Sequence, residues 1–169
     1  LKALDTKSKI KKTTETSNPG AYEFYLRAKH KHDKRKNTDD TEIARGLIYK
    51  ALQLDDNLIA AKVLLGITYF QMGSYDKAMK VLTPILKQAE QVGDKYGMAN
   101  ILSNIGIIYG AKGYYDKALG YFERALPIQE ELDNKYGIGY SLGNIGNVYL
   151  YKGESDKALD YYKRSIAIR

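Results

Sequence analysis

Apolar residues in this chain recur at steps of three and four, and no stretch alternates with the period of two that a strand would require. From residue 57 onward the pattern predicts six helices, at about 57–72, 75–92, 96–112, 115–132, 136–152 and 155–168. Gly73, Gly113 and Gly153 fall where a helix must stop and the chain turn back, a position that favours left-handed backbone. Residues 93–95 and 133–135 form polar breaks of matching position. Upstream, Asn18-Pro19 reads as an N-cap followed by Pro at the first helical position, where its missing N–H is harmless. The helix it opens carries Ala21, Tyr22, Tyr25, Leu26 and Ala28 and fades in the charged run 30–37; a second starts near Asp39 and carries Ile43, Ala44, Leu47, Ile48, Ala51 and Leu52. Pro84 and Pro127 fall inside predicted helices, where each removes a hydrogen bond and is expected to bend the helix.

The pattern repeats. Ile105-Gly106, Tyr109, Gly113, Asp116-Lys117-Ala118 and Tyr121-Phe122 return 40 residues later as Ile145-Gly146, Tyr149, Gly153, Asp156-Lys157-Ala158 and Tyr161-Tyr162. Counting back by the same step gives Leu65-Gly66, Tyr69, Gly73, Asp76-Lys77-Ala78 and Val81-Leu82. A fixed period of this length implies stacked units that bury their apolar faces on their neighbours. Gly66, Gly106 and Gly146 lie mid-helix, where Gly costs about 1 kcal/mol relative to Ala. Close approach of the partner helix, meeting Ala78, Ala118 and Ala158, is the expected gain, with Tyr69, Tyr109 and Tyr149 filling the core one turn further on.

The spacing of Leu65-Gly66 to Tyr69, followed by Ala78 and Leu82, resembles the tetratricopeptide repeat, whose units are helix-turn-helix pairs of 34 residues. This chain departs from the pattern: Lys62, Leu102 and Leu142 replace the usual aromatic, the terminal Pro is missing, and the period is longer. Asn104-Ile105-Gly106 and Asn144-Ile145-Gly146 make the units similar to the extended repeats of kinesin light chains, Pins-type polarity scaffolds and bacterial signalling proteins. The resemblance implies an all-α, right-handed solenoid of four units: a degenerate one at 18–56, then 57–95, 96–135 and 136–169, after a basic linker at 1–17. Because the chain begins at Leu1 and lacks a polar capping helix after Ile168, it is expected to be part of a longer array, or to self-associate through that end.

Composition narrows the function. The first 36 residues hold eleven Lys or Arg against four acids, which accounts for the whole net charge of +7 and leaves the solenoid neutral. Without aromatics among those first lysines, the leader is expected to be solvated and a nucleic-acid role is not expected. Cys is absent, so thiolate chemistry and disulfides are excluded. No run has the roughly 18 apolar residues of a membrane helix, and a cytoplasmic protein is expected. His30 and His32 are two apart on a helix and point to different faces, a poor metal pair. The Asp-Lys pairs at the starts of second helices suit the helix dipole. No catalytic constellation, metal site or cofactor is expected.

What remains is binding. In the repeat families that the chain resembles, the concave face built by first helices takes peptide segments, and Asn residues ahead of the Gly hydrogen-bond the ligand backbone. The matching residues are Asn104 and Asn144, with Asn100 and Asn147 extending the stripe and Ser103, Tyr140 and Tyr151 at its borders. A carboxamide supplies both donor and acceptor, so it pairs with a peptide unit regardless of the ligand's side chains. The expected role is a protein-interaction scaffold with a peptide-binding groove. The alternative is a regulatory or oligomerising segment of a larger signalling enzyme such as a nucleotide cyclase, suggested by the similarity of residues 18–30 to the opening of arrays beside such domains.

Overall fold

The computed structural model describes residues 16–168, so all but the last two residues of the basic linker lie outside the described residues. Among these there are eight helices and no strand: α1 Pro19–Asp33, α2 Thr38–Leu54, α3 Ile59–Gln71, α4 Tyr75–Val92, α5 Lys95–Ala111, α6 Tyr115–Glu131, α7 Lys135–Tyr151 and α8 Ser155–Ala167. The fold is an all-α helical-repeat solenoid. Every predicted helix is present to within about two residues at either end, and α4 and α6 run on through Pro84 and Pro127. None of the described helices is long and apolar enough to cross a membrane. The described residues form two compact units, 16–88 and 89–168.

In the first unit, α1 packs on α2 and α2 on α3. Asn18 caps α1 by accepting the Ala21 N–H through Oδ1 at 3.2 Å, and its Nδ2 donates to the Leu54 carbonyl at 3.1 Å, tying the start of α1 to the end of α2. Asn37 caps α2 in the same way through the Asp40 N–H. The core combines Ala21, Tyr25 and Ala28 with Ile48, Ala51, Leu58, Ala61, Leu64 and Leu65.

The second unit consists of the hairpins α5–α6 and α7–α8, joined by packing of α6 on α7. Each hairpin turns on a left-handed glycine. Gly113 has φ +78°, its N–H donates to the Gly110 carbonyl at 3.0 Å, and the Tyr114 N–H reaches back to Tyr109 at 2.9 Å. The same two bonds recur at Gly73 with Ser74 and at Gly153 with Glu154, so the turn chemistry keeps the 40-residue period. The breaks between hairpins use Gly93 at φ +68° and, at the matching place, Asp133 at φ +47°. Asp94 and Asn134 then cap α5 and α7 by accepting the N–H of Gly97 and Gly137, each at 3.0 Å.

The mid-helix glycines admit a neighbour, but not the one the sequence suggested. A Cβ on Gly106 would lie 2.9 Å from the Phe122 ring, one on Gly146 2.7 Å from Tyr162, and one on Gly66 2.6 Å from Leu82. The partner is therefore the large residue four beyond Ala78, Ala118 or Ala158. In an antiparallel pair the alanine lies closer to the turn, and Ala118 accordingly meets Gly110. Tyr69, Tyr109 and Tyr149 pack against the core as expected, at its edge. Tyr109 and Tyr149 are half-buried, stacked on Tyr121 and Tyr161 with centroids 5.3 and 5.4 Å apart. Lys117 and Lys157 also lie over the Tyr109 and Tyr149 rings, at 5.5 and 5.2 Å. Tyr69 has Val81 in place of Tyr121 and Tyr161; Arg45 and Lys77 cover it instead, and its hydroxyl bonds that of Tyr49 at 2.5 Å.

Three outcomes follow for thermal melts followed by circular dichroism. Gly106→Ala, adding a methyl against a buried ring, is expected to destabilise by about 1–3 kcal/mol, whereas Gly120→Ala, on the same hairpin with nothing within 4 Å of the added atom, stabilises by about 0.5–1 kcal/mol. Asp133→Gly relieves a left-handed residue and raises stability by about 1 kcal/mol.

Candidate functional site

Helices α5 and α7 lie side by side, so residues 40 apart on them occupy corresponding places. Asn104 and Asn144 have the same conformation: Nδ2 of Asn104 donates to the Asn100 carbonyl at 2.8 Å, and Nδ2 of Asn144 to the Tyr140 carbonyl at 2.9 Å. A bond to a carbonyl must come from the NH2 end, which fixes how each amide points. It uses one N–H and leaves the second N–H and Oδ1 for a ligand, one donor and one acceptor held by the helix itself. Both side chains are partly exposed. Asn100 contributes the carbonyl that orients Asn104.

The other expected residues separate. Asn147 is exposed, and its Oδ1 accepts the Tyr162 hydroxyl at 2.7 Å, which leaves its NH2 group as the end open to a ligand. Tyr151 is 72 % exposed and lies parallel to Tyr115 of α6 with centroids 6.0 Å apart. Tyr140 stacks on Tyr136 at 6.2 Å and lines a hollow of about 330 Å³ with Gly139, Ser165 and Ile168. Desolvation, then the neighbouring Tyr136, pushes the Tyr140 hydroxyl above its ordinary value, with Asn144 opposing them, although the residue as a whole stays exposed.

Ser103 does not border a groove. It is 4 % exposed, and its hydroxyl donates to the Ala99 carbonyl at 3.0 Å, accepts from Gln129 Nε2 at 3.2 Å and meets the Ser141 hydroxyl at 3.3 Å. It sits one residue before Asn104, about 100° around the helix, and that rotation turns it inward. The three polar groups link α5, α6 and α7 inside an apolar core, with Gln129 Oε1 buried and without a partner. Such a network specifies which helices meet more than it adds stability.

A second hollow, about 340 Å³, opens between α5 and α7. Gly106, Ile107, Gly110 and Ala111 form its α5 side, Asn144, Asn147, Val148 and Tyr151 its α7 side, and Tyr115 and Phe122 of α6 close it. Of the α5 residues, Ile107, Gly110 and Ala111 were not singled out from sequence. The available signal was a break in the repeat, since Gly110-Ala111 stands where the other copies have Phe70-Gln71 and Leu150-Tyr151. Beside it, Asp116 accepts from Lys152 at 2.6 Å and holds that ammonium above its ordinary value, so the flanking charges are paired. Elsewhere, His32 uses both ring nitrogens, on Asp33 at 3.2 Å and on Gln71 at 3.1 Å. Among the described residues no group of three or more metal-ligating side chains converges.

A sequence profile for the tetratricopeptide repeat matches residues 57–131 and again 97–169. No curated protein sequence matches the chain. Several solved structures share its fold. Aspartyl phosphate phosphatase F from Bacillus subtilis aligns with a TM-score of 0.75 and 20 % identity over 88 % of this chain and 39 % of that one. A Rap protein complexed with Competence and Sporulation Factor gives 0.71 and 18 % over 91 % and 55 %, and BtubC (BKLC) from P. vanneervenii 0.67 and 18 % over 86 % and 70 %. This chain thus spans about two-fifths and about half of the first two. At these identities the likeness is one of fold. With the profile covering well over half of its residues and glycine-turned hairpins throughout that stretch, the chain belongs to the tetratricopeptide repeat family.

Proposed function

We propose that this chain is a protein-interaction scaffold, and that the face formed by α5 and α7 receives an extended segment of a partner protein. The observation that carries the reading is the identical presetting of Asn104 and Asn144 by a bond to the carbonyl four residues earlier. Each amide keeps one donor and one acceptor free, which is what one peptide unit requires, and neither has to give up rotamer freedom when the ligand arrives. Because both bond backbone, they set the position of the segment and leave its sequence to other contacts. The structure solved with Competence and Sporulation Factor gives the same fold a bound partner, which supports an interaction role here. We further propose that the array is read in four units, 18–56, 57–95, 96–135 and 136–169, with the asparagine stripe confined to the last two because Leu64 takes the corresponding place in the second.

Peptides selected from a random displayed library on the wild-type chain test this reading. They are expected to bind Asn104→Ala/Asn144→Ala about tenfold or more weakly at unchanged helicity. Equal affinity for both forms would remove the asparagines from the site.

A further inference from the structure

Gly106 and Gly110 lie one turn apart on α5 and are small for different reasons. Gly106 has no room for a Cβ, since the Phe122 ring stands 2.9 Å from where one would be. Gly110 has room: a Cβ there would meet Ala118 at 3.8 Å and Val148 at 3.9 Å, ordinary contact distances, and its backbone is helical. Packing therefore does not demand glycine at 110, and a helix interior disfavours it. The repeat makes the point again, because the flanking copies carry Phe70-Gln71 and Leu150-Tyr151 at the positions of Gly110-Ala111. Where those copies project bulk, this one leaves the hollow of about 340 Å³ between α5 and α7.

We propose that this hollow is an anchor pocket for one large apolar side chain of the bound segment. The inference rests on the interaction reading above and adds to it what selects the partner. A hollow of about 340 Å³ has room for one large apolar side chain. Ile107, Val148, Phe122 and Tyr115 present carbon, and no Asp, Glu, Lys, Arg or His lines it, so a charged side chain entering would lose hydration without gaining a partner. Asn144 and Asn147 occupy one wall, and their free amide groups meet the backbone that carries the buried side chain. One apolar socket beside two backbone-pairing amides fits an extended peptide with a Leu, Ile, Met or Phe at a fixed position.

The same selected peptides decide it. They are expected to share one large apolar residue, and its replacement by Ala weakens binding about tenfold. Gly110→Leu and Ala111→Gln each install the residue of a flanking copy, fill the hollow and are expected to weaken binding by a similar factor. The Ala-substituted peptide then binds wild type and variants alike, because the two losses are the same contact. Ala111 is exposed, so its substitution keeps the test valid if Gly110→Leu perturbs folding. Peptides that bind both filled variants as tightly as wild type overturn the pocket. If those peptides still weaken on Asn104→Ala/Asn144→Ala the interaction face stands, and if they do not, or if no peptide is enriched, both readings fall.

Discussion

The hairpins α3–α4, α5–α6 and α7–α8 each close on a contact between bare backbone and a large side chain. At Gly106 the absence of a Cβ lets the Phe122 ring lie against α5, and the same fit brings Tyr162 to Gly146 and Leu82 to Gly66. Glycine at these places weakens an isolated helix, and the buried ring or aliphatic side chain offsets that by removing its own area from water. Once that contact sets the distance and register within a pair, the turn glycines, the caps at Asp94 and Asn134 and the tyrosine stacks fall at a fixed step. Residues 40 apart thereby become spatial counterparts, and the asparagine face depends on that.

Neighbouring units add a different kind of constraint. Phe122 and Leu119 of α6 pack with Ile145 and Val148 of α7, and Leu119 is 8 % exposed while its counterpart Leu159 on α8 is 52 % exposed. The apolar face is thus made twice from the same letters and covered once. Between hairpins the polar contact of Ser103, Gln129 and Ser141 marks which helices meet, at positions where other copies carry Val63 or Gly143 for Ser103, Ala89 for Gln129 and Ile101 for Ser141. It is not periodic, and a search for periodicity passes over it.

That difference explains how much could be read from the letters. Helix positions, turn glycines and family follow from local rules applied to a repeating string, and they are where the string places them. The partner of Gly106 was misassigned because the antiparallel register between two helices is set by side-chain volumes across the pair, which spacing along one helix does not contain. Ser103 was misplaced because its neighbour Asn104 faces outward and one residue is a large rotation on a helix. The hollow at Gly110 was missed for the opposite reason: attention to what repeats hides a position that does not. Asn104 and Asn144 were legible as a pair, but their back-bonds, which make them a preset donor and acceptor, belong to geometry.

The most direct measurement is the set of side-chain amide resonances of Asn104 and Asn144 in a ¹⁵N-labelled sample titrated with a selected peptide. The account predicts that both NH2 pairs shift together with the backbone amides of Gly110 and Ala111, while those of the Ser103–Gln129 core hold still. Shifts confined to α6 and α8, with both asparagine amides unmoved at saturation, would contradict it.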